Sequence, residues 1–156
     1  MGSSRLTGLG PENALMRTGK EPEDLRPRTK RFAHRCVKTA MRLPKDVLGN
    51  VIRGQLIRCS TSVAANYRAA SLGQSPAAFS AKISIVLEEV DESWFWLEFI
   101  HDEELLNGHE LEELVDKAEQ LTGIFATIRK KTEHRDHPPK EEDRKRRMRR
   151  KGPPSE

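Results

Sequence analysis

Long apolar runs are absent from this chain, and aromatic residues and cysteines are scarce. No apolar stretch approaches the ~20 residues a membrane-spanning helix needs, so a membrane partner is not expected. The opening MGSSRLTGLGPENALMRTGKEPEDLRPRT lacks an apolar signal core, and Leu6 stands where a myristoylation pattern wants Ser or Thr. The expectation is a cytoplasmic protein. The two cysteines, Cys36 and Cys59, form no CxxC pair and have no histidine at ligand spacing. They read as buried small hydrophobes in a reducing compartment, with a disulfide or metal role as the alternative. The five histidines, His34, His101, His109, His134 and His137, form no metal motif and read as surface or boundary residues. No nucleophile–base pair, Gly-rich phosphate loop or ligand spacing accompanies them, so neither an enzyme nor a cofactor is expected.

What the chain does have is charge. Charged residues make up 33% of its 156 residues against 5% aromatics, a balance that suits one helical domain better than a β-rich one. The charge is divided by sign. Arg28 to Arg68 carries a net +9, Lys82 to Ile128 a net −11, and the run Arg144 to Lys151 a further +7. Such asymmetry speaks to partners rather than to fold.

Residues 1–27, rich in Gly and Pro and without periodicity, read as a disordered extension. Four helices are expected in residues 28–133. The first runs from about Thr29 to Leu43, with Phe32, Cys36, Val37, Ala40 and Met41 on its apolar side and Pro44 as its stop. After a connector, Lys45 to Asn50, the second runs from about Val51 to Ser71. Its wedge is Ile52, Leu56, Cys59, Val63, Tyr67 and Ala70. Ser75-Pro76 opens the third, which runs to about His101 with a stripe of Phe79, Ile83, Val86, Val90 and Leu97. The fourth runs from about His109 to Lys131 and carries Leu111, Leu114, Val115, Ala118, Leu121, Phe125 and Ile128. Short turns between such helices imply an all-α, antiparallel up-down-up-down bundle. Residues 134–156 read as a disordered basic tail.

Two groups on the middle helices stand apart from the core pattern. Trp94, Phe95 and Trp96 are consecutive and so point about 100° apart on a helix. Phe99 points elsewhere again, and Ile85 lies off the main stripe. A helix apolar around most of its girth implies an oligomer interface; Leu105 and Leu106 folding over the aromatics is the alternative. The polar group is Arg58, Ser62 and Asn66 on the second helix, with Gln55 beside them, and Glu88, Glu89 and Glu92 on the third. If the two helices are antiparallel neighbours, Arg58 lies level with Glu92 and Asn66 with earlier turns. A buried Arg–Glu pair and a buried Asn fix helix register at some cost in stability, and that structural role is the reading here.

The same block carries a resemblance. Gln55-Leu56-Ile57-Arg58, Ser60, Ser62-Val63-Ala64-Ala65-Asn66-Tyr67 and Ala70 open its pattern. Ser75, Phe79, Lys82, Ile83, Glu88-Glu89, Glu92-Ser93 and Trp96-Leu97 continue it. Together they resemble the four-helix bundle proteins encoded in intervening sequences of bacterial 23S ribosomal RNA genes. The chain departs from that pattern at Ala69, where Glu is usual, and at Ala78, where an acidic residue is common. The resemblance implies a ring-shaped homopentamer. It also implies likeness in fold to the accessory variability protein of diversity-generating retroelements, which binds nucleic acid through a basic surface.

The expected function is therefore a non-enzymatic oligomeric bundle that binds RNA or DNA. The candidate contacts are Arg28, Lys30, Arg31, Arg35, Lys38, Arg42, Arg53 and Arg68, because clustered Lys and Arg displace counterions from phosphate backbones. The bland reading is that these cations only solvate a face or neutralise the acidic helices within an oligomer. The alternative function is a protein–protein scaffold without nucleic acid, in which the basic and acidic halves pair between subunits or recruit a charged protein partner.

Overall fold

The computed structural model describes residues 24–73 and 75–136. The expected disordered segments therefore lie largely outside the described residues. Four helices follow in chain order: α1 (Leu25–Met41), α2 (Val47–Ala70), α3 (Pro76–Asp102) and α4 (His109–Asp136). Among the described residues there is no strand, and no helix is long and apolar enough to cross a membrane.

Helix boundaries follow their caps. α1 begins four residues ahead of the expected Thr29, because the Asp24 carboxylate accepts the Arg26 amide at 3.0 Å. Pro27 does not prevent this: in a first turn its missing N–H would have no helical partner anyway. α2 likewise starts at Val47 rather than Val51, with Asp46 accepting the Gly49 amide at 2.8 Å. The last four of the six residues Lys45 to Asn50 are thus helical. Gly49 is required there, since a Cβ at that position would lie 2.0 Å from the Pro44 carbonyl oxygen. α3 starts where Ser75-Pro76 placed it, with Ser75 Oγ accepting the Ala78 amide at 3.3 Å. This cap stands without the acidic side chain common at position 78. α4 continues past the expected Lys131 to Asp136. Thr132 faces the core, and Arg129 pairs with Glu133 at 2.9 Å one turn on.

Each helix packs on its neighbour in sequence, and α1 meets α4 along a shorter seam. Every member of the expected α2 wedge and α3 stripe is buried. Tyr67 and Phe125 meet edge to face with ring centroids 5.3 Å apart. Three residues leave the expected core: Met41 is 64% exposed, and Val37 and Val115 are only partly buried. Val37 borders a trough between α1 and α2 rather than filling the interior, and Met41, the last residue of α1, faces solvent.

Candidate nucleic-acid interface and the α2–α3 polar seam

α2 and α3 are joined along one flank by polar side chains. Arg58 Nη1 donates to both oxygens of Glu89, at 3.0 and 3.2 Å, its Nη2 donates to Glu92, and its Nε reaches Gln55 at 3.3 Å. Glu92 also accepts the Trp96 indole N–H at 3.3 Å. Two turns further along α2, Asn66 donates to the Ser62 carbonyl and hydroxyl, each at 3.0 Å, and accepts from Lys82 Nζ at 3.2 Å. The hydrogen bond from Arg58, more than any other influence, holds the Glu92 carboxyl below its ordinary range.

This seam differs from the expected buried pair. The Arg58 side chain is 50% exposed, Glu92 35% and Glu89 18%. The long guanidinium lies along the helix surface with its head in water. Glu88 points to solvent, because one step along a helix turns a side chain away from the flank that Glu89 and Glu92 share.

Beneath the seam, Cys59 and Ser93 touch across the two helices with Sγ and Oγ 3.1 Å apart, while the Ser93 hydroxyl donates back to the Glu89 carbonyl at 2.7 Å. Burial pushes the Cys59 thiol up to about 11 and raises Cys36 further. Both cysteines are free and buried.

The eight candidate cations divide into three groups. Arg53 is committed to structure: it donates to the carbonyls of Ala40 (3.3 Å), Leu43 (2.7 Å) and Pro44 (3.1 Å), closing the C-terminal end of α1. The second group faces α4. There Arg28 donates to Gln120 at 3.1 Å, Arg35 pairs with Glu113 at 3.1 Å, and Arg42 pairs with Glu110 at 2.8 Å. Arg28, Arg31 and Arg35 also line a recess of about 370 Å³ with Lys117 and Gln120 of α4, over Phe32 and Leu121. Lys38 is exposed and follows on the same outer side of α1. The third group, Lys30 and Arg68, borders a separate trough between α1 and α2. The sequence reading missed Lys117, the one cation amid the acidic first half of α4, because only the packing of α4 on α1 brings it to the arginines.

The aromatic group is also divided. Trp94, Trp96 and Phe99 are partly buried and pack against the protomer's own core, as do Leu105 and Leu106. Phe95 remains 52% exposed and Ile85 36%. Phe95 stands on Trp96 and Phe99, with ring centroids 4.9 and 5.9 Å away. The Trp94 indole N–H is buried with no hydrogen-bond partner among the described residues.

Comparison with known proteins gives a consistent placement. A crystal structure of a protein of unknown function from the S23 ribosomal protein family of Bacteroides thetaiotaomicron superposes with a TM-score of 0.62. It is 28% identical, and the match covers 68% of this chain and 98% of that one. Proteins with curated descriptions give no match. The family model described as 23S rRNA-intervening sequence protein matches residues 24–127, from the cap of α1 into the last turns of α4, and this chain belongs to that family.

Proposed function

We infer that this chain is a cytoplasmic, non-enzymatic bundle with up-down-up-down helices that assembles as a ring-shaped homo-oligomer and binds RNA or DNA through the outer face of α1. The observation that carries the reading is the convergence of Arg28, Arg31 and Arg35 with Lys117 on one recess, with Lys38 beside it. Such clusters bind phosphate backbones by counterion release and largely ignore sequence. The family's description, tied to 23S rRNA, favours RNA as the first nucleic acid to try. The order of cross-helix pairs supports the topology: Arg58 meets Glu92 while Asn66 meets Lys82, and Arg28 meets Gln120 while Arg42 meets Glu110. Exposed Phe95 and Ile85 support assembly, and a pentamer is the ring the family resemblance implies. Two buried thiols held protonated, and carboxylates held by Arg58, support the non-enzymatic reading.

One observation favours a scaffold without nucleic acid instead. Arg35–Glu113 and Arg42–Glu110 neutralise part of the basic face from within. Affinity purification of the whole chain with and without nuclease separates the readings. Nuclease-sensitive RNA or DNA that disappears in an Arg31→Ala/Lys38→Ala variant supports binding. A protein partner retained after nuclease, with no nucleic acid, supports the scaffold.

A further inference from the structure

Two exposed features lie away from the outer face of α1. The first is the trough between α1 and α2, about 680 Å³ in volume. Ala33, Val37, Ala64 and Ala65 give it an apolar lining of short side chains, and Lys30 and Arg68 stand among its basic residues. Both cations are exposed and have no ion-pair partner among the described residues. The second feature is the outer ridge of α3, where Ile85 and Phe95 are exposed and Phe99 supports Phe95 from behind. Glu88 stands between Ile85 and Phe95 on this face and Asp91 beside it, both exposed, while Arg58 borders the Ile85 side, where it holds Glu89 and Glu92.

We propose that the α3 ridge of one copy of this chain seats in the α1–α2 trough of the next. The proposal rests on the oligomeric reading above and adds the surface that receives Phe95. Charge complementarity selects this occupant. Glu88 and Asp91 stand among the apolar residues of the ridge, and Lys30 and Arg68 border the apolar trough, so each sign finds its opposite as the apolar parts leave water. At 1.5 Å per residue, Ile85 to Phe95 spans about 15 Å along α3, between the roughly 10 Å of the trough's α2 side, Thr61 to Arg68, and the roughly 17 Å of its α1 side, Arg26 to Val37. The exposed apolar residues Val47 and Val51 at the α1–α2 turn suit the ridge less well, because Lys45 and Asp46 place both signs of charge there. Ridge and trough are different surfaces of the same chain, so the contact is head-to-tail and propagates around a ring. Arg31 and Lys38 stand one turn on from Pro27 and His34 of the trough lining, on the rim that leads to the outer face of α1.

Cross-linking of the whole chain tests the contact at two exposed positions, Ala65 in the trough and Glu88 on the ridge. The native cysteines are buried and stay silent. A short bismaleimide is expected to join an Ala65→Cys chain to a Glu88→Cys chain in a mixture, to join neither variant to itself, and to give a ladder with the double variant. Phe95→Glu is expected to reduce the mass by light scattering to that of a monomer with helical circular dichroism retained. An assembly that forms without the 65–88 cross-link, or that survives Phe95→Glu, overturns this contact and leaves the oligomeric reading standing. A monomer at every concentration overturns both.

Discussion

Arg58 of α2 donates through one nitrogen to both carboxylate oxygens of Glu89 on α3, at 3.0 and 3.2 Å, and through another to Glu92. One guanidinium thus bridges two carboxylates a single turn apart, and its removal leaves like charges side by side. Exposed pairs contribute only ~0–1 kcal/mol each, so the half-exposed seam calls for a modest figure. Arg58→Met is expected to cost about 1 kcal/mol in urea denaturation with an unchanged m-value. The cost depends on pH. Glu92 is held below its ordinary value of 4.5, so its share of stability is full above that pH and is lost as pH falls through the lowered value. The gap between wild type and Arg58→Met therefore narrows below pH 4.5. A gap that stays constant under acid removes Glu92 from the account.

Two glycines give an opposed pair of expectations. Gly49→Ala puts a Cβ 2.0 Å from the Pro44 carbonyl oxygen, so the connector must shift. A loss of about 1–3 kcal/mol is expected from the overpacking. At Gly54, on the exposed side of α2, an added Cβ meets nothing within 4 Å. Gly54→Ala is expected to raise stability by about 0.5–1 kcal/mol, because Ala loses less backbone entropy in a helix. Thermal unfolding of the two variants beside wild type checks both signs.

The buried cysteines are expected to make the fold sensitive to alkali. Cys59 rises from 9.0 to about 11 on folding, and burial raises Cys36 in the same direction. A raised folded value means stability is fully present below pH 9.0 and is lost as pH climbs toward 11. Urea midpoints should therefore fall across that window, and replacing both residues with Ala should flatten the decline. At pH 8 iodoacetamide is expected to label neither thiol in the folded protein and both in urea. Rapid labelling of the native protein would contradict their burial.

Much of this architecture was readable in the chain because helix periodicity and capping are local. Ser75-Pro76 fixed the start of α3 to the residue, and the wedges of α2 and α3 are buried as their spacing required. The starts of α1 and α2 were placed late for a local reason too. Pro27 belongs to the Gly- and Pro-rich stretch and Gly49 to the connector, so neither signals a helix, while the aspartates at 24 and 46 act as caps. The basic surface was less legible. Whether Arg35 and Arg42 face solvent depends on Glu113 and Glu110, 78 and 68 residues away, and no local pattern reports that pairing. Arg53 reads as a surface cation in sequence, yet in the fold it holds the end of α1.

That difference gives Arg53 an expectation of its own. Arg53→Ala removes three bonds to backbone carbonyls and is expected to cost about 1–2 kcal/mol of stability while leaving nucleic-acid affinity per folded molecule unchanged. A specific loss of binding at full folding would return Arg53 to the interface.

The most direct measurement is the salt dependence of RNA binding by the whole chain, with Arg144 to Lys151 intact and with that run replaced by Gln. Each phosphate contact contributes about −0.7 to −0.9 to the slope of log K against log salt. With the run replaced, binding is expected to persist, and Arg31→Ala/Lys38→Ala is expected to reduce the slope by about 2. Binding that vanishes once the run is neutralised, or a slope indifferent to Arg31 and Lys38, would contradict the assignment of the outer face of α1 as the nucleic-acid surface.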